Sequence, residues 1–409
     1  MVAAMSRIVT LVLIDRTGAD LGALPPFEVD LPWWPEVGDV AAGARERYGV
    51  DVDVLRMLAA ERPVPPGGAV TYLAEVAAPP SVPLSAATVD HTPHPLRAAY
   101  AEPGGPAASL AWATAALRRL GRGAPTAVAQ RKTWNLSAIW RLDCPTGPVW
   151  LKQVPRFFVQ EAAVLAWVNE FSPGAAPELI ATDGAGRSLL GHVGGEDRHD
   201  APAADRHAMA ELLHGIQLRS LGAVDDLVAR GVPDLRGDLM VDKVRTVVER
   251  HGAGIAGLSE LVDELPDRLA ALRSCGLPDS LVHGDFHPGN VRDGGDTGAG
   301  PVILDWGDAV IGNPGGDILG LTAGLSPADA APLLRSWALR WAQAVPACDP
   351  AAALTLLPPI QALLGAVVYA NFLAHIEPSE HPYHAADVPA CLREAVTLAA
   401  GDPLAAGVG

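Results

Sequence analysis

Two short segments hold the residues best suited to chemistry. The run His283-Gly284-Asp285-Phe286-His287-Pro288-Gly289-Asn290 sets an aspartate and an asparagine five residues apart. Pro288 and Gly289 forbid a regular helix there, so both side chains can face one ligand from a loop. Fifteen residues beyond Asn290, Val302-Ile303-Leu304 reads as a short buried strand that delivers Asp305 into a turn at Trp306-Gly307-Asp308. Carboxylate and amide oxygens of this kind suit Mg²⁺, a hard cation that takes oxygen ligands and keeps waters and substrate phosphates in its shell. The pattern points to phosphoryl transfer.

The elements that must carry these residues follow from periodicity and punctuation. Residues 8–14 and 70–76 are predicted strands, with mixed helix-like and strand-like apolar patterns over 37–58, which makes a small α/β unit. A stretch rich in Pro, Gly and Ala follows to about residue 125, with one helix near 109–120, and a domain boundary is placed there. Residues 138–142 and 149–151 read as a hairpin turning at Pro145-Thr146-Gly147-Pro148. Apolar residues at helical spacing then predict a helix over 160–171, stopped by Ser172-Pro173-Gly174. A strand is expected near 178–182, and helices over 206–221, 241–251 and 258–273.

Composition narrows the function classes. A chain of 409 residues, 49% hydrophobic and 19% charged, is long enough for two or three domains and a sizeable core. A formal net charge of −17 argues against a nucleic-acid partner, because affinity for phosphate backbones rests on clustered Lys and Arg. Lysine occurs only as Lys132, Lys152 and Lys243, so each needs a reason. The cysteines Cys144, Cys275, Cys348 and Cys391 show no CxxC spacing, which suggests neither structural zinc nor a disulfide framework. The apolar run 8–14 lacks the length and cleavage site of a signal peptide, and 363–376, interrupted by Asn371 and His375, reads as a buried helix too short to span a bilayer. The expectation is a cytoplasmic protein with no membrane partner.

The two catalytic segments resemble the catalytic loop and metal-binding turn of the aminoglycoside phosphotransferase and choline-kinase-like families, distant relatives of protein kinases. Protein kinases carry His-Arg-Asp-x-x-x-x-Asn and Asp-Phe-Gly in the same order; here Gly284 replaces the Arg and Trp306 the Phe, which favours the small-molecule branch. The resemblance implies that Asp285 accepts or orients the proton of a substrate hydroxyl, that Asn290 and Asp305 hold Mg²⁺, and that His283 braces the loop. Asp317 is expected to anchor the following helix or brace the catalytic loop. Kinases of this type also need a strand lysine on the nucleotide phosphates and a glutamate on the next helix to hold it. Lys152 and Glu161 fit, with Glu170 the second choice of partner.

A Gly-x-Gly-x-x-Gly loop is absent, and the matching segment reads Arg131-Lys132-Thr133-Trp134-Asn135-Leu136-Ser137. Asn135 and Ser137 are its candidate phosphate contacts. The adenine-contacting linker is expected at residues 189–193, and His214 is read as a packing or capping residue. The implied fold class is α+β: a bilobal protein-kinase-like fold with a small β-rich nucleotide lobe at 126–195 and a large helical lobe at 196–409. Residues 1–125 precede it as a Nudix-like α/β domain plus linker, a resemblance carried by Glu36 and by Ala44-Arg45-Glu46-Arg47-Tyr48-Gly49-Val50. Ala42, Gly43 and Arg47 stand where that motif expects an Arg and two glutamates, so pyrophosphate hydrolysis is not expected.

The function implied is ATP-dependent phosphorylation of a small-molecule hydroxyl, with GTP open as donor. The acceptor is a sugar, an amino alcohol or an antibiotic of aminoglycoside type, the last favoured by resemblance alone. Residues 320–409 contain few acids, unlike a cleft built for several ammonium groups, whereas tryptophans and tyrosines suit stacking on a sugar or nucleoside. Candidate substrate contacts include Trp337, Trp341, Tyr369 and Tyr383, with Asn371 and His375 sharing a helix face. The alternatives are a nucleotide-binding regulatory pseudokinase and a Nudix-type pyrophosphohydrolase. Oligomeric state is left open.

Overall fold

The computed structural model describes residues 6–294 and 300–401. The chain divides into two compact units, the first formed by Met1–Val159, Leu179–His192 and Asn371–Ala386, the second by Gln160–Glu178, Val193–Ala370 and Asp387–Gly409.

The first unit contains two sheets. In one, β1 (Arg7–Asp15) is flanked by β2 (Asp20–Ala23) and β3 (Phe27–Val29), then helix α1 (Gly38–Tyr48), β4 (Asp53–Ala60) and β5 (Gly68–Val76) follow. β1 runs parallel to β5 along its whole length, and the other pairings are antiparallel. Both faces of β1 are covered. Val9, Leu11 and Leu13 pack with Trp34 and Tyr72, while Val12 and Ile14 pack with Leu55 and Leu73. This accounts for a nearly continuous apolar run where a half-exposed strand would alternate. α1 ends because Gly49 takes φ +67°, so its N–H reaches the Arg45 carbonyl at 2.9 Å while Val50 turns back to Ala44.

The second sheet is antiparallel throughout, ordered β6 (Ala127–Thr133), β7 (Ala138–Cys144), β8 (Gly147–Gln153), β10 (Arg187–Gly191), β9 (Leu179–Thr182). Trp140, Leu142, Val149, Leu151 and Leu189 form its core with Ala113, Ala116 and Leu117 of α2 (Gly105–Arg119). The hairpin is tighter than its sequence suggests, since Gly147 and Pro148 already pair with Cys144 and Asp143, leaving Pro145-Thr146 as the turn. Leu189, Leu190 and Gly191, expected in the linker, are strand residues paired to β8. The edge strand β6 escaped the sequence pattern, because its exposed and buried positions alternate only weakly over Ala127–Thr133.

The second unit is mainly helical. It comprises α3 (Glu161–Phe171), α4 (Ala203–Ser220), α5 (Val224–Ala229), α6 (Asp238–His251), α7 (Leu258–Ser274), α8 (Gly315–Thr322), α9 (Pro327–Ala344) and α11 (Asp387–Ala400). Most of α10 (Pro350–His375) belongs to it as well. Two small ribbons pair β11 (Ser280–Val282) with β14 (Val310–Gly312), and β12 (Val291–Arg292) with β13 (Val302–Ile303). Helix α10 begins well before residue 363 and, by length and composition, is long and apolar enough to cross a membrane. Its Ala353, Leu357, Ile360, Leu363 and Ala366 recur at helical spacing and are buried in the protein.

Candidate active site

The two ribbons frame the catalytic segments. The chain leaves β11 into the loop 283–290 and re-enters a ladder at β12, while β13 ends one residue before Leu304-Asp305. The Leu304 N–H donates to the Asn290 carbonyl at 2.8 Å, which locks the loop to the turn that carries Asp305.

His283 makes the second lock. Its ring is fully buried, with Nε2 2.8 Å from the Leu304 carbonyl and Nδ1 3.3 Å from the Asp285 amide. A carbonyl can only accept and an amide N–H only donate, so the network assigns a neutral imidazole protonated on Nε2. Trp306 lies edge-on against it at 4.7 Å, and its indole N–H is tied to the Ile303 carbonyl. The geometry is that of a brace.

Asp317 is the third. Placed in the first turn of α8, its Oδ2 accepts from the His283 amide and from Gln217 Nε2 on α4, both at 2.9 Å, while Oδ1 accepts from the Gly284 amide at 3.1 Å. Burial pushes the Asp317 carboxyl up, the largest effect, and the hydrogen bonds from these three donors pull the other way without reversing it. Gly284 itself is required by geometry: it takes φ +86°, and a Cβ there would stand 2.2 Å from the Asp308 carbonyl oxygen. The absence of the kinase arginine at this position thus has a steric cause.

Held in this way, Asp285 presents an accessible carboxylate, 55% exposed. Asn290 Nδ2 donates to the Asp285 carbonyl at 2.8 Å and to its Oδ2 at 3.1 Å. Both amide hydrogens face Asp285, which leaves Oδ1 of Asn290 as an oxygen acceptor. His287 Nε2 lies 3.6 Å from Asp285 Oδ2, and its Nδ1 accepts from the Gly289 amide at 3.0 Å. Burial pushes the Asp285 carboxyl up, but the interaction with His287 outweighs it and the net direction is down. His287 moves up, chiefly through Asp285. Asp305 adopts left-handed backbone angles (φ 57°, ψ 67°), rare for a residue with a side chain and costing on the order of 1–2 kcal/mol. The bracing by His283 and Trp306 stabilises that conformation.

Three side chains at this site carried no recognisable sequence signal. His287 lies within the motif, where residue type and spacing give it no separate role. Gln217 is separated from Asp317 by 100 residues, and Gln160, whose Nε2 donates to the Gly307 carbonyl at 2.9 Å, lies 147 residues before it. Helix spacing alone cannot reveal such partners.

In the first unit, Lys152 is a buried residue of β8, paired in register with Ile139 and Ser188. Glu161, in the second unit, occupies the first turn of α3 and is also buried. Asn135 and Ser137 are buried: Asn135 Oδ1 faces His384 Nε2 at 3.0 Å while its Nδ2 meets no partner among the described residues, and Ser137 Oγ accepts from Trp134 Nε1 at 3.1 Å. Near the expected linker, Trp150 Nε1 donates to His192 Nδ1 at 3.1 Å, the two rings stacked. Trp337, Trp341 and Tyr383, candidate substrate contacts by sequence, are core residues. His214 packs edge-on against Trp341, and burial, aided by Arg340, lowers its pKa to about 4.

A catalytic loop and an aspartate turn locked together in the helical second unit, in a chain whose first unit carries a five-stranded antiparallel sheet, are the features of a phosphotransferase of protein-kinase-like α+β fold. Residues 116–351 match the profile of the APH phosphotransferase enzyme family, and the chain belongs to that family. No curated protein matches the sequence. Among solved structures, a choline kinase from Streptococcus pneumoniae is similar at 10% identity, covering 70% of this chain and 98% of its own, with a TM-score of 0.51. A macrolide 2'-phosphotransferase from Brachybacterium faecium covers 69% of this chain and 97% of its own at 18% identity, with a TM-score of 0.49. The protein is a small-molecule kinase.

Proposed function

We propose that the protein transfers the γ-phosphoryl group of ATP to a hydroxyl of a sugar, amino alcohol or antibiotic, with Asp285 as the residue that meets the acceptor. The observation that carries this reading is the arrangement of Asp285: an accessible carboxylate, held below the ordinary range by His287, on a loop braced by His283 and Asp317. A carboxylate kept ionised can accept a hydrogen bond from the incoming hydroxyl and orient its lone pair for in-line attack.

Asn290 and Asp305 are the proposed Mg²⁺ ligands. The fit rests on donor chemistry, because Asn290 has turned its amide hydrogens toward Asp285 and offers its oxygen, and Asp305 supplies a carboxylate from a constrained turn. One or two protein oxygens with phosphates and waters completing the shell is the mode Mg²⁺ favours. Mg²⁺, when bound, neutralises charge on the transferring phosphates. Lys152 is assigned to the nucleotide phosphates and Glu161 to holding that lysine. Asn135 and Ser137, buried with Asn135 Oδ1 on His384 and Ser137 Oγ on Trp134, are assigned to shaping the loop whose backbone faces the nucleotide.

The test is a mass-shift screen of sugars, amino alcohols and antibiotics with Mg-ATP. One acceptor should gain a single phosphate, and Asp285→Asn should lower kcat at least about a thousandfold while leaving the melting temperature within a few degrees. Equal turnover by Asp285→Asn would remove Asp285 from the chemistry.

A further inference from the structure

We propose that the N-terminal sheet and the segment 376–384 together clamp the glycine-poor loop 131–137, and that Gln130, Tyr383 and His384 are positioning residues for nucleotide binding. This rests on the phosphotransfer reading above, in which that loop covers the nucleotide. All the residues concerned lie in the first compact unit.

Two independent sets of contacts reach the loop, and a third anchors the segment 376–384. The first comes from the N-terminal sheet. Gln130 Oε1 accepts from the Val54 N–H and its Nε2 donates to the Val54 carbonyl, both at 2.8 Å, so one side chain completes the edge of β4 as a neighbouring strand would. Gln130 sits at a register shift in β6, which turns its side chain out of the β6–β7 ladder. Beside it, Val37 N–H donates to the Arg131 carbonyl and Thr133 N–H to the Pro35 carbonyl, each at 3.0 Å, so that the backbones of Glu36 and Lys132 pair as an isolated antiparallel β-bridge.

The second set is aromatic. Tyr383 is buried edge-on to Trp34 of the N-terminal domain at 5.6 Å and to Trp134 of the loop at 5.7 Å. His384 lies 5.5 Å from the Trp134 ring and holds Asn135 at 3.0 Å. Tyr100 adds a hydrogen bond to the Trp134 carbonyl at 2.8 Å. The third set holds the segment itself: Arg97 grips Glu377 with two parallel hydrogen bonds of 2.8 and 3.0 Å, and Glu377 and Glu380 are buried against β4 with Arg56.

A glycine-rich loop lacks side chains to hold it and is ordered by the nucleotide. Here Thr133, Asn135, Leu136 and Ser137 are all buried, so the loop is shaped in advance and less ordering cost falls on binding. The N-terminal domain thereby supplies what the missing glycines would otherwise leave to the ligand.

The experiment compares the full chain with Tyr383→Ala, Gln130→Ala and Tyr383→Phe. Amide hydrogen exchange of 131–137 and the Kd for Mg-ATP are measured on each. Tyr383→Ala and Gln130→Ala should each speed exchange in 131–137 and weaken Mg-ATP by about tenfold, with exchange of 283–290 unchanged. Tyr383→Phe should match the parent, since the Tyr383 hydroxyl is buried without a hydrogen-bond partner among the described residues. Gln130→Ala keeps the test decisive if Tyr383→Ala does not fold. Faster exchange with unaltered Mg-ATP affinity, or unaltered exchange in both alanine variants, overturns the proposal. Failure of the unsubstituted chain to bind Mg-ATP would instead remove the phosphotransfer reading, and the clamp's role with it.

Discussion

Removing the Asp317 carboxylate should loosen the catalytic loop by an amount that the hydrogen bonds allow to be worked out. Three donors converge on it: the His283 amide, the Gly284 amide and Gln217 Nε2. Asp317→Ala leaves the His283 amide and Gln217 without an acceptor in buried surroundings, while Gly284 is exposed and can turn to water. Each buried orphan costs about 1–3 kcal/mol, and release of a carboxylate from a desolvated site returns part of it, so a net loss of about 2–4 kcal/mol is expected. Asp317→Asn is milder. Its oxygen can stay at the Oδ2 position for His283 and Gln217, while its NH₂ faces only Gly284, for a cost of about 1–2 kcal/mol. The assay is native-state hydrogen exchange at the His283 amide, which reports the opening free energy of this loop directly. Protection should fall in the order parent, Asn, Ala. An alanine variant within 1 kcal/mol of the parent, or an asparagine variant worse than alanine, would refute the claim that Asp317 holds the loop through these bonds.

Gly284→Ala should cost about 2–4 kcal/mol and most of the activity, because a Cβ would meet the Asp308 carbonyl at 2.2 Å with φ at +86°; a thermal melt and a turnover assay check both parts. His384 and His214 predict acid sensitivity. Burial lowers each pKa from 6.5 to about 4, so the unfolded chain takes up protons that the folded one refuses. Their contribution is intact above pH 6.5 and is lost as pH falls toward 4, up to about 3 kcal/mol for each. Urea midpoints measured between pH 7 and 4 should show this slope, and His384→Gln should flatten it. Glu380 works in the opposite sense: burial, with help from Glu377, lifts its pKa to about 8, so its contribution is full below pH 4.5 and is lost as pH rises through 8.

The placement of the loop 283–290 and of the Asp305 turn was legible in the chain because these motifs are local. Asp285 and Asn290 lie five residues apart, and Asp305 follows a short strand, so spacing, Pro288 and Gly289 were enough to place them on one loop and one turn. The helices expected over 206–221, 241–251 and 258–273 were equally plain from apolar period, and they run over 203–220, 238–251 and 258–274. What holds the loop was not. Gln217, Gln160 and His384 act across 100, 147 and 249 residues, and a glutamine or histidine on a helix gives no sign of which distant backbone it will meet. The phosphate-loop assignment shows the same boundary. Sequence position selected Asn135 and Ser137 as polar groups in the right segment, whereas packing turned both inward onto His384 and Trp134. Residue type and local spacing determine which groups are able to react; which of them remain open to a ligand and which are consumed in bracing depends on contacts between distant segments, and those exist only once the chain has closed upon itself.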